Sequence, residues 1–225
     1  MGAVLEVKSL IYAGIVGMVV LAGCGNDVNK SSNTEVARAL AASTTARFKG
    51  TSTSVERMTR ARLAEVVTPV MLLSAEASGK QALIAEIQTS GGVETWSTVD
   101  DITVSMRNGV IVATRGFGAD LMAASVPVVS RDVGNGQIHK RVHTLLDGED
   151  KPVRTHFTCT FQNHGVQVID IVQIKYNTTH VTEDCLSDAA RFQNRYWISD
   201  DRQMRKSTQW ISPGVGFLTI EDVRR

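Results

Sequence analysis

The chain has 225 residues, 43% hydrophobic and 21% charged. That is a globular composition rather than a disordered one, and the length suits one domain or two small ones. Lys and Arg total 24 against 23 Asp and Glu, a net charge of +1, so no basic excess points to nucleic acid and no charge run suggests an acidic tail.

Residues 10–22 form an uncharged apolar run preceded by Glu6 and Lys8. It is shorter than the roughly 20 residues a membrane-spanning helix needs, and has the length of a signal-peptide core. It closes on Leu21-Ala22-Gly23-Cys24. This resembles the lipobox of bacterial lipoproteins, whose Cys receives a diacylglycerol thioether and becomes the first mature residue. An uncleaved anchor with an incidental Cys is the alternative, which Gly14, Gly17 and Gly23 weaken as a helix. Residues 1–23 are therefore read as a signal peptide and Cys24 as the lipid-attachment residue. Residues 24–34 follow as a flexible tether, because small polar residues such as Asn26, Ser31 and Asn33 cannot bury a face.

Residues 35–225 are read as a single domain. Thr34 can cap a helix over 35–48, and Val55, Met58 and Leu63 predict a second over 54–66, stopped by Thr68-Pro69. From Val70 the texture changes to strands over 70–77, 82–88 and 93–96. Residues 102–114 form the clearest hairpin, with Asn108-Gly109 supplying two left-handed residues between alternating runs. Residues 120–124 are expected to form a helical turn, and 137–146 a strand. In 153–161 the residues Val153, Thr155, Phe157, Cys159 and Phe161 share one face, which points Cys159 into the core. Asn163-His164-Gly165 is expected to turn the chain, followed by strands over 166–176, 181–186, 196–198, 207–211 and 217–221. The prediction is a mainly β, single antiparallel domain, as a curved sheet, sandwich or partly open barrel, with one or two short N-terminal helices.

The chemistry-bearing residues are sparse. Cys159 and Cys185 form an even pair in a chain sent to an oxidising compartment. A disulfide is their simplest state, worth roughly 3 kcal/mol in the chain-entropy model, with two buried free thiols as the alternative. His139 and His143 share one face of a strand but lack an HExxH partner, and are read as a solvated face; His156, His164 and His180 are scattered over loops and polar faces. Asp100-Asp101 point to opposite faces and fit a turn better than a paired-carboxylate site. Asp170 shares its face with Val166 and Val168, so it is either hydrogen-bonded in the core or on a face that is not fully buried. No nucleophile elbow, phosphate loop or dinucleotide fingerprint is present, so no catalytic residue, metal or cofactor is assigned. Trp96, Tyr196, Trp197 and Trp210 are either core or a candidate glycan- or partner-binding surface.

Several segments together resemble the YjbF/GfcB family of outer-membrane lipoproteins. They are the lipobox Cys24, then Trp96, Asn108-Gly109 and Thr114-Arg115-Gly116-Phe117-Gly118-Ala119-Asp120-Leu121, and the ending Asn194-Arg195-Tyr196-Trp197 with Ser207-Thr208-Gln209-Trp210-Ile211-Ser212-Pro213. Cys159 and Cys185 fall where the family carries its Cys pair. The resemblance implies a β-rich fold and a part in capsule or exopolysaccharide export or assembly. It also implies a membrane anchor through the N-terminal lipid, a periplasm-facing body on the outer membrane, and β-grasp periplasmic and outer-membrane β-barrel partners, with polysaccharide itself a further candidate. The expected role is a scaffold or a glycan- or partner-binding module rather than an enzyme. A periplasmic glycan-modifying enzyme and a lipid or glycan carrier are the alternatives.

Overall fold

The computed structural model describes residues 59–224. The signal peptide, Cys24, the tether, the 35–48 helix and the first residues of the 54–66 helix lie outside the described residues. One helical turn, α1 (Arg60–Ala64), is present, with Thr59 as its N-cap. Among the described residues no helix is long and apolar enough to cross a membrane.

Twelve strands follow in chain order: β1 (Val70–Ala75), β2 (Lys80–Ser90), β3 (Val93–Ser97), β4 (Thr103–Arg107), β5 (Val110–Arg115) and β6 (Ala123–Ser125). The second half holds β7 (Ile138–Leu146), β8 (Pro152–Ile171), β9 (Ile174–Leu186), β10 (Arg191–Ser199), β11 (Met204–Ser212) and β12 (Gly216–Arg224). They make one antiparallel sheet in the order β5-β4-β3-β2-β1-β12-β11-β10-β9-β8-β7-β6, nearly closed into a barrel. The first strand pairs with the last, Leu72 opposite Glu221 and Leu73 opposite Ile220, so the chain's two halves are joined along one ladder. The seam lies between β5 and β6.

Alternation fills the interior as it should. Ile84, Trp96, Val104, Met106, Ile111 and Leu218 come from five strands and meet in one fully buried cluster. Burying each such side chain stabilises by about 1.5–3 kcal/mol. The β4–β5 hairpin turns on Asn108 and Gly109, both at positive φ, as a type I′ turn requires. Gln209 fastens it from within: its Nε2 donates to Gly109 O at 2.8 Å and its Oε1 accepts from Ile111 N at 2.9 Å.

Three expectations are corrected. Residues 120–124 do not coil into a helical turn; they lead into β6. The Asp120 carboxylate accepts from Thr114 Oγ1 at 2.8 Å and Gly116 N at 3.0 Å, which folds the 116–120 loop back and delivers the next residues extended. Asn163-His164-Gly165 does not reverse the chain. Gly165 N donates to Asn163 Oδ1 at 2.9 Å and the register shifts there, so the segment is a β-bulge that bends a strand without ending it.

The reversal comes instead at Val172 and Gln173, both at positive φ. A β-branched residue is strained there, and a distant side chain holds it. Arg60 of α1 donates to the carbonyls of Ile171 at 2.6 Å, Val172 at 2.6 Å and Val223 at 2.7 Å. The tip of the β8–β9 hairpin thereby lies over α1, β1 and β12, where Ile171 packs with Leu63, Val70, Leu72 and Val223. Asp170 is exposed, and its Oδ1 accepts from Gln173 N at 2.9 Å. It is a turn residue, and its face is open to solvent. The strands 166–176 and 181–186 are parts of β8 and β9 rather than separate elements.

Candidate functional site

The most concentrated chemistry lies inside the barrel, where β7, β9 and β10 face one another. Cys159 and Cys185 are directly opposed on β8 and β9 and bonded to each other. Because side chains alternate, Glu183 must face the same interior as Cys185, and Asn194 and Tyr196 of β10 face it from the next strand through the pairs Asn194–Glu183 and Tyr196–Val181. On the far side of β8, β7 contributes His139, Arg141 and His143.

Glu183 is completely buried and saturated with donors. Arg141 grips it with both arms of the guanidinium, Nε to Oε1 at 3.1 Å and Nη2 to Oε2 at 3.0 Å. His139 Nε2 donates to Oε1 at 2.7 Å. Asn194 Nδ2 and the Tyr196 hydroxyl donate to Oε2 at 2.8 and 2.7 Å. Burial alone would push the Glu183 carboxyl up. The Arg141 charge and the hydrogen bonds from His139, Asn194 and Tyr196 outweigh it and hold it at about 2. Burial would lower the Arg141 pKa, but Tyr196 and Glu183 raise it, so the pair stays ionised. Burial and the Glu183 charge push the Tyr196 phenol well above its ordinary value, so the phenol keeps its proton and donates it in the hydrogen bond to the carboxylate.

His143 sits one turn of the pleat beyond, stacked on Trp210 and Phe192 with Phe157 edge-on. Burial and then the Arg141 charge lower its pKa to about 3. The ring is therefore neutral at ordinary pH. Arg141 Nη1 lies 3.4 Å from its Nε2, a contact in which a neutral ring accepts, which assigns the ring hydrogen to Nδ1.

These placements overturn the reading of His139 and His143 as a solvated face. The β7 strand is inverted relative to that expectation: Ile138 is 68% exposed, whereas Arg141 and His143 are buried. The polar side turns inward because Glu183 is there to receive it. The aromatic residues are likewise not a surface strip. Trp96 and Tyr196 are fully buried, Trp197 is 8% exposed beneath the β8–β9 hairpin, and Trp210 is stacked on Phe192 at 4.6 Å. Trp197 Nε1 donates to Gln167 Oε1 at 2.7 Å, and its ring stacks on His180. Asp100 and Asp101 are exposed in the β3–β4 turn, where Asp100 N bonds Thr98 Oγ1. Arg141 and Glu183 lie outside the residues that the sequence marks as functional, and Asn194 enters there only within the family resemblance. The parity of Glu183 with Cys185 was the signal for them.

The arrangement locks more than it reacts. A carboxylate titrating near 2 with its oxygens already engaged is a poor general base. His139, Cys159 and Glu183 bring ligand-type atoms within 4.8 Å of one another, but Cys159 is committed to the disulfide and Glu183 to a guanidinium, so the donor set does not suit a cation. What the network does is tie β7, β9 and β10 together across the interior through one carboxylate.

Comparison with known proteins places this fold. Residues 33–223 match the family described as group 4 capsule polysaccharide lipoprotein gfcB, YjbF. The hypothetical lipoprotein YmcC from Escherichia coli (K12) has a similar structure, with a TM-score of 0.71 over 88% of this chain and 97% of that one, at 14% sequence identity. At that identity the likeness is one of fold. Among curated proteins none matches.

Proposed function

The chain belongs to the YjbF family of group 4 capsule polysaccharide lipoproteins, and on that premise we propose that it serves capsule or exopolysaccharide export without catalysing a reaction. In this reading it is an outer-membrane lipoprotein anchored through Cys24, with its β domain on the periplasmic side as a scaffold or a glycan- or partner-binding module. The observation that carries the reading is the filled interior. The carboxylate, guanidinium and imidazoles that an enzyme would expose to substrate are turned on one another inside the barrel. A packed core lined by Trp96, Phe157, Phe161 and Tyr196 also suits a scaffold better than a carrier of lipid or glycan.

Placement supports the same role. Gly25 rather than Asp follows Cys24, the residue choice that favours release to the outer membrane. Several acyl chains give stable anchoring where one does not. An anchor at Cys24 would hold the body beside the inner leaflet of the outer membrane, where an export barrel opens and a β-grasp partner would meet it.

The test is complementation of a deletion strain, scored for surface polysaccharide. Wild type should restore it. Cys24→Ala should leave a larger, unacylated precursor and fail to restore it. Normal processing of Cys24→Ala would sink the anchor, and export that is unchanged in the deletion strain would sink the role.

A further inference from the structure

The buried network has a counterpart on the other side of the same wall. Because His139, Arg141 and His143 turn inward on β7, Lys140 faces out. By the same alternation Arg154 and His156 of β8 and Arg191 and Arg195 of β10 face out as well. All five are exposed. Up to the bulge at Asn163, Asp184 is the one carboxylate at an outward position of β7 to β10. Its Oδ1 already accepts from Gln193 Nε2 at 3.0 Å.

These cations are not spent on partners. Among the described residues Lys140, Arg154 and Arg191 have no carboxylate within ion-pair distance, and Arg195 meets Glu76 only at 3.7 Å. Lys140 Nζ donates to Thr158 Oγ1 at 2.7 Å instead. The acids at this end of the wall, Asp147, Glu149, Asp150 and Asp188, lie in the turns that flank the face. Glu149 pairs with Lys151, and the Asp147 carboxylate accepts from Glu149 N and Lys151 N. In a chain of net charge +1, this segregation gives the face a positive field.

Spacing decides what such a face holds. Lys140, Thr158, Leu186 and Arg191 form one row across the four strands, so the two cations are rooted about 14 Å apart at roughly 4.8 Å per strand. Arg191 and Arg195 are rooted about 14 Å apart along β10 at roughly 3.4 Å per residue. That exceeds the screening length of about 8 Å at physiological salt, so each cation is a separate contact, and the set suits a chain of anionic groups rather than one small anion. Linking the contacts through a single polymer raises their joint affinity. Between the cations, exposed Thr158, Gln162 and Gln193 offer hydrogen bonds to hydroxyls. Leu186, 59% exposed, offers an apolar surface to the C–H side of a sugar ring. We infer that the outer face of β7 to β10 binds an acidic polysaccharide, its carboxylates meeting Arg154, Arg191 and Arg195. The inference rests on the glycan-binding reading and sharpens it: the polymer runs over the outside of the barrel wall, held by charge rather than by an aromatic platform.

The test uses the full lipoprotein in detergent micelles and a fluorescent oligogalacturonate, with a neutral maltooligosaccharide of equal length as control. The acidic probe should bind, the neutral one should not, and added salt should weaken the binding. Arg154→Glu/Arg191→Glu should weaken it about tenfold, the size of two exposed charge contacts. Arg154→Gln/Arg191→Gln should weaken it less, with the melting temperature of wild type, and Lys80→Glu, exposed on β2, should leave it unchanged. No binding of the acidic probe, equal binding of the neutral one, indifference to both double substitutions, or binding to anionic lipid vesicles alone overturns the proposal. Surface polysaccharide of the complemented deletion strain is scored in parallel. Binding lost without loss of export keeps the site and removes its role in export, whereas export failing in the deletion strain with no binding by the wild type keeps the role and removes the site.

Discussion

Glu183→Gln keeps the shape of the side chain and removes its charge. Arg141, 1% exposed, is then left as a guanidinium in the barrel interior facing an amide. Breaking one side of a buried ion pair costs about 3–5 kcal/mol, most of it the stranding of the other charge. In a domain of this size each kcal/mol moves the melting temperature by about 2–4 °C, so the variant should melt roughly 6–20 °C lower. Arg141→Met alone strands the carboxylate and should cost a similar amount. The double variant Arg141→Met/Glu183→Gln removes both charges and should recover most of the loss, since neither member is then left as a stranded buried charge. The assay is thermal unfolding of the soluble domain by circular dichroism, with the four proteins as a double-mutant cycle. A single variant melting within a degree of wild type, or a double variant as damaged as the sum of its parts, would refute the claim that the pair is held by mutual compensation.

Acid should unfold the domain through His143 first. Its folded pKa of about 3 lies below the ordinary 6.5, so the unfolded chain binds a proton that the folded one excludes. That stabilisation is complete above pH 6.5 and is lost as pH falls toward 3, about 5 kcal/mol in all; denaturant midpoints of wild type should fall across that window, and His143→Phe should flatten the upper part of it. Gly109→Ala should destabilise by more than about 1 kcal/mol in the same assay, because the position is at φ +78° and an added Cβ would come within 2.6 Å of Met204 Cβ; an unchanged midpoint would count against the turn. Cys159→Ala/Cys185→Ala should cost roughly 3 kcal/mol, and a non-reduced digest of the wild type should contain the two peptides joined.

The sequence by itself determined the things that local chemistry decides. Alternation named most strands and placed Cys159 with Phe157 and Phe161 on one face. Asn108-Gly109 named its turn, since few other dipeptides accept two left-handed residues. The parity of Glu183 with Cys185 even contained the site, read one step further. What alternation cannot say is which face of a strand is inside. Ile138, Val142 and Leu146 give one side of β7 an apolar pattern, and only the nearly closed barrel, with Glu183 and Tyr196 across from it, makes the His139-Arg141-His143 side the buried one. The hairpin reversal was hidden for the same reason. Val172-Gln173 carries no turn signal of its own and is held by Arg60 from 112 residues away. Asn163-His164-Gly165, which does carry one, bends a strand that its neighbours on both sides keep running. Local propensity is worth about 1 kcal/mol per residue, and buried pairs and long-range clamps of several kcal/mol override it.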